Sequence, residues 1–117
     1  MMDPTEATDV EIVPHGVVLA VPDGTGVRVV PIHWRDLTVE YCDVVVVFSA
    51  PGGQYEWPPL PERPDKYAAT DADWQRYDEE LVTNSERALA VYRGVMAAWY
   101  VWARESLGYV VPGGRHD

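Results

Sequence analysis

The sequence predicts an α+β domain: an N-terminal antiparallel meander of three to four strands, a Pro-rich connector, and a long C-terminal α-helix packed on the sheet. Three observations lead there. Valine-rich runs of strand period fill residues 15–50, residues 51–66 hold five prolines, and no proline interrupts residues 70–107. At 117 residues and 47% hydrophobic content, one domain with a modest core is expected. The expected layout is a flexible tail over 1–10, the meander over 15–50, a strap over 51–69, the helix over 70–107 and a second tail over 108–117.

The opening "MMDPTEATDVE" is acidic, with neither a basic nor an apolar region of the kind a secretion signal has, and is expected to be loose. "VVLAV" and "VRVVPIH" flank "PDGTG", which reads as a hairpin with a five-residue connection where Gly24 and Gly26 can take positive φ. Pro31 cannot donate to a ladder, so the second of these strands is expected to lie at an edge or to be interrupted there. Leu37, Val39 and Tyr41 alternate with Thr38, Glu40 and Cys42, the period of a strand with one buried face.

Asp43 continues the parity of that buried face. An unpaired carboxylate inside a core is costly, so the reading is a break or turn at Cys42–Asp43, with a buried, partnered acid as the alternative. "VVVVF" then reads as a central strand, apolar on both faces. The proline-rich stretch is expected to form no ladder and to cross from sheet to helix, pinned by Tyr55, Trp57 and Leu60.

Thr70 offers an N-cap, with Asp71 and Asp73 placed well against the helix dipole. Trp74, Leu81, Ala88, Val95 and Trp102 recur every seven residues, which predicts one long helix ending at Gly108. Thr83 and Glu86 have capping-box spacing, so a break there is the alternative. The first half, polar except for one stripe, is expected to lie on the sheet. The second half, "ALAVYRGVMAAWYVWA", is apolar nearly all round and needs cover on more than one side.

That second half carries the functional expectation. Sixteen residues reach about 24 Å, short of a hydrocarbon core near 30 Å, and Arg93 lies mid-segment, so no membrane span is expected. Ala90, Gly94 and Ala98 sit four apart, where small residues admit a close neighbour, and Gly94 costs about 1 kcal/mol relative to Ala in a helix. Trp99, Tyr100 and Trp102 supply the residue types that dominate interface energetics. These six are the expected interface residues, toward another copy of the chain or another protein.

Nineteen acids against nine bases give a formal charge of -10, which argues against phosphate-backbone and anionic-membrane binding. Cys42 is the lone cysteine, so neither an internal disulfide nor a CxxC site exists. No nucleotide-binding, nucleophile-elbow, zinc-protease or EF-hand motif occurs, and no cofactor or metal is expected. Of His15, His33 and His116, the last is expected in a solvated tail, and His33 with the nearby acids Asp36 or Asp43 is the catalytic candidate set.

The leading expectation is a non-enzymatic interaction or assembly protein, cytoplasmic or a small component of a bacteriophage particle, docking through its aromatic helix. The alternatives are an acidic inhibitor of a basic protein surface, and a small ligand-binding or hydrolytic domain around His33, for which a deep polar pocket beside the sheet is the discriminating feature.

Overall fold

The computed structural model describes residues 4–108, and the C-terminal tail with His116 lies outside them. The fold is α+β: a mostly antiparallel β-meander followed by one long helix packed on it. Seven short strands form it among the described residues, rather than three or four: β1 Thr5–Glu6, β2 Asp9–Val13, β3 Gly16–Asp23, β4 Gly26–His33, β5 Thr38–Cys42, β6 Val45–Ala50 and β7 Gly53–Trp57. They divide into two sheets, of order β1-β7-β6-β5 and β2-β3-β4.

Each hairpin closes with a two-residue loop. The flanking pairs are Val13 with Gly16, Asp23 with Gly26, Cys42 with Val45 and Ala50 with Gly53. The expected five-residue connection is therefore shorter, because Pro22 and Asp23 extend β3; Gly24 takes the positive φ of 62° and Gly26 does not. Asp43 is the turn residue, exposed at φ 62°, a conformation tight hairpins demand and Asp tolerates. β4, with Pro31, is an edge strand, and β6 is central, as the sequence implies.

Two expectations are corrected. The supposed loose tail contains β1 and β2, and adjacent residues there bond to different sheets: Ala7 N donates to Glu56 O at 2.8 Å, and Thr8 N donates to Ala20 O at 2.7 Å. The supposed ladder-free segment contains β7, which lies between β1 and β6 and turns Tyr55 and Trp57 into the core. Gln54-Tyr55-Glu56-Trp57 alternates as a half-buried strand should, and four of the five prolines follow it. Leu60 stays 46% exposed and pins nothing.

The helix α1, Asp71–Leu107, is continuous. Its capping box is Thr70 with Asp73, and Gly108 at φ 68° ends it with its N–H on Ala103 O. At Asn84 the chain does not break: Thr83 Oγ1 donates back to Glu79 O, and buried Asn84 donates from Nδ2 to Pro59 O at 2.9 Å. At about 1.5 Å per residue, 37 residues span roughly 55 Å. That length sets the molecule's 59 Å long axis.

One core joins both sheets to the helix. It holds Leu19, Val21 and Trp34 from the three-stranded sheet and its following turn, Phe48 and Trp57 from the four-stranded sheet, and Ala88 and Val95 from α1. The second half of α1, not the first, lies on the strands. The first half instead lies along the strap, where the Arg63 guanidinium stands 6.0 Å from the Trp74 ring.

Candidate functional site

The C-terminal half of α1 meets both sheets. Tyr41 of β5 reaches Ser85 Oγ at 3.2 Å and packs on Tyr92. On the other side Ile12 of β2 faces Gly94, where an added Cβ would lie 3.3 Å from its Cδ1. Gly94 thus makes room for a strand residue of its own chain, so no second helix is needed to explain it. Of the expected small-residue stripe, Ala98 is half-buried against the core and Ala90 is exposed.

Beyond Gly94 the helix carries its aromatic group. Trp99 meets Tyr100 edge-on at 5.3 Å and Trp102 at 6.5 Å. Trp102 in turn takes the edge of His33 at 5.5 Å, and His33 stacks on His15 at 6.3 Å with the planes 3° apart. All three helix aromatics are half-buried, while Val101 between them is 47% exposed. Neither tryptophan is enclosed on every side, although two sheets already pack on the helix.

The polar composition of this face differs from the rest of the chain. Between Ala88 and Arg104 the only charged residues are Arg93 and Arg104, in a protein of net charge -10. Helical spacing puts Arg93, Ala97, Tyr100 and Arg104 along one stripe, and Arg93, Ala97 and Arg104 are exposed. That exposed stripe carries two cations around Ala97 and Tyr100, with Val101 and the exposed Glu105 beside it, while Trp99 and Trp102 lie on the far side of the helix against the core.

The catalytic candidates do not converge. His33 is exposed, and its Nδ1 accepts the Arg35 N–H at 3.0 Å, so that nitrogen caps the short 3-10 turn Trp34–Asp36. Asp36 is exposed at the end of that turn, and the whole of β5 separates it from Asp43. The concavity beside His33 measures about 160 Å³ and is walled mainly by Val13, Val17, Val18, Pro31 and Ile32, unlike the deep polar pocket a hydrolytic reading calls for.

Cys42 is exposed, and its thiol pKa is pushed up by partial desolvation and then by the charges of Glu40 and Glu56, the opposite of nucleophile activation. Among the described residues no group of three or more His, Cys, Asp or Glu could hold a metal ion. No described helix is long and apolar enough to cross a membrane.

Two features escaped the sequence reading. Strand pairing puts Glu40, Val47, Glu56 and Glu6 in one row across the outer face of the four-stranded sheet. Two larger grooves, of about 530 and 540 Å³, run between the strap and the polar half of α1, sharing Arg76 and Glu80 in their walls. Both arise from long-range pairing, which no local pattern encodes.

Comparison with known proteins returns no matching family model, no matching curated protein and no matching solved structure.

Proposed function

We propose that the chain is a non-enzymatic interaction or assembly protein that docks on another protein through the last turns of α1, around Trp99, Tyr100, Val101 and Trp102. One observation carries the reading: Val101 is 47% exposed among half-buried aromatics after both sheets have packed on the helix. Burying aromatic side chains in a partner's pocket is the usual source of binding energy, with a polar rim around them. Here the rim holds Arg93, Arg104 and Glu105, so the complementary partner presents an apolar pocket with a polar surround of mixed charge.

A photoactivatable residue at position 101, in cells that naturally make the chain, tests this against the same residue at position 78 on the polar half of the helix. A discrete covalent adduct from 101 and none from 78 is the expected result. Equal labelling from both positions, or none from 101, contradicts it.

The Glu40–Glu56–Glu6 row supports a second reading, an acidic face for a basic protein surface. Binding of that kind weakens steeply with salt, whereas aromatic docking is mainly salt-insensitive.

A further inference from the structure

Among the described residues the two sheets have four outer strands, β1 and β5 on one and β2 and β4 on the other. A free edge offers unpaired N–H and C=O groups to any strand that comes near, and proteins blunt such edges with charge, shortness or proline. Three of the four carry acids: Glu6 on β1, Asp9 and Glu11 on β2, and Glu40 on β5. β1 is also only two residues long. β4 runs for eight residues with no acid, its one firmly charged side chain being Arg28.

The hydrogen-bond phase of β4 follows from its hairpin. With a two-residue loop closing at Asp23 and Gly26, the Gly26 N–H bonds back to β3, and so in turn do Arg28, Val30 and Ile32. The next residue in that phase, Trp34, does donate its N–H to His15 O, at 2.9 Å. The odd-numbered residues therefore direct their backbone groups away from the sheet. Val27 and Val29 offer a donor and an acceptor each, and Pro31 an acceptor only. The side chains of Val27 and Val29 are 64% and 62% exposed, and Pro31 is exposed beside them.

We infer that β4 pairs with β4 of a second copy, antiparallel about a two-fold axis at Val29, joining two three-stranded sheets into one of six strands. In this register each Val29 exchanges both hydrogen bonds with its counterpart. Each Val27 N–H donates to the Pro31 carbonyl of the other copy. The missing proline N–H falls at the ends of the pairing, not at its centre.

Charge selects this register over its neighbour. Shifting the axis to Arg28 would set the two guanidinium groups directly opposite each other, which destabilises a strand pair. With the axis at Val29, Arg28 lies opposite Val30. The same apolar face then continues across the seam, Val29 beside Val29 and Val27 beside Pro31, with Asp9 and Glu11 of that face two strands away on β2. The interface is isologous, so it closes at two copies.

The test is mass by light scattering during size exclusion, at rising concentration, on the full chain. The expected result is a shift from 13.1 kDa toward twice that mass. Val29→Lys puts two ammonium groups at the axis and Val27→Pro deletes one outward donor; each is expected to hold the mass at the monomer value at the same concentration. Val82→Lys, at a 58% exposed helix position, leaves the dimer intact.

If Val29→Lys does not fold by circular dichroism, Val27→Pro and the amide exchange of Val27 and Val29 decide, because both amides slow with concentration if the edge pairs. A wild-type monomer at the highest soluble concentration overturns the inference. So does a dimer that survives both β4 variants. Neither result bears on the last turns of α1, which position-101 labelling reads separately.

Discussion

A methyl group on Gly16 would collide with the Ile32 carbonyl oxygen, because Gly16 pairs directly with His33 where β3 and β4 are crowded. Gly16→Ala is therefore expected to lower stability by about 3 kcal/mol or more, since the backbone of a buried strand pair has to shift, and urea unfolding measures it. Thr70 and Asp73 act at the opposite end of the molecule. Asp73 Oδ2 accepts the Thr70 backbone N–H at 2.9 Å, and the Asp73 N–H donates to Thr70 Oγ1 at 3.2 Å. The Thr70 backbone bond and then its side-chain bond hold the Asp73 carboxyl below its ordinary pKa, with Arg76 adding a smaller effect in the same direction.

A depressed carboxylate pKa stabilises the fold above the unfolded-state value, about 3.9, and this contribution is lost as pH falls through the lower folded value. The stability difference between wild type and Asp73→Asn is thus expected to be constant near neutrality and to shrink toward zero below about pH 4. Thr70→Ala is expected to cost about 1 kcal/mol at neutral pH. The N-cap at Thr70 was legible, but Asp73 read only as an acid set against the helix dipole, and capping-box spacing was seen at Thr83–Glu86 instead. The conflict at Gly16 was not legible, since its cause lies sixteen residues away in Ile32.

At the scale of the elements, Gly94 sets helix propensity against packing. Ala gains about 1 kcal/mol in a helix interior, while its Cβ would press on Ile12. Ile12 is 41% exposed and meets Gly94 with only its Cδ1, so its tip can swing toward solvent. Gly94→Ala is accordingly expected to raise the midpoint of thermal unfolding, and a fall would show that Ile12 is held fast. Asn84 ties helix to strap through Pro59 O. Asn84→Ala leaves that carbonyl without its donor, at a cost of about 1–3 kcal/mol, and is expected to speed proteolysis within residues 60–69.

The seven-residue recurrence through Ala88 and Val95 revealed α1 because helical periodicity is local, and both residues are fully buried. β7 was hidden by its surroundings: Tyr55 and Trp57 alternate as strand residues, but the prolines at 51, 58, 59, 61 and 64 made the whole stretch read as a strap. β1 and β2 were missed for a different reason. Only two residues of β1 pair, and with a strand some fifty positions away.

For the whole molecule, the division into a sheet-packed helix end and a strap-packed helix end decides where partners can bind. The sequence marked Trp99, Tyr100 and Trp102 as interface residues, because a segment apolar nearly all round asks for more cover than a few strands give. It could not show that β2 and β5 would approach the helix from two sides, nor that Val101 would stay exposed between Ala97 and Glu105. The catalytic set was drawn from proximity in sequence, and a strand's length is enough to undo that: β5 carries Asp43 away from His33.

The central claim is that Trp99 and Trp102 remain accessible in the folded chain. Hydroxyl-radical footprinting of the purified protein, read residue by residue by mass spectrometry, tests it with Trp34 as internal standard, since Trp34 is 1% exposed and its Nε1 donates to Pro14 O. Oxidation of Trp99 and Trp102 well above that of Trp34 is the predicted result. Protection of both tryptophans to the level of Trp34 would contradict the account.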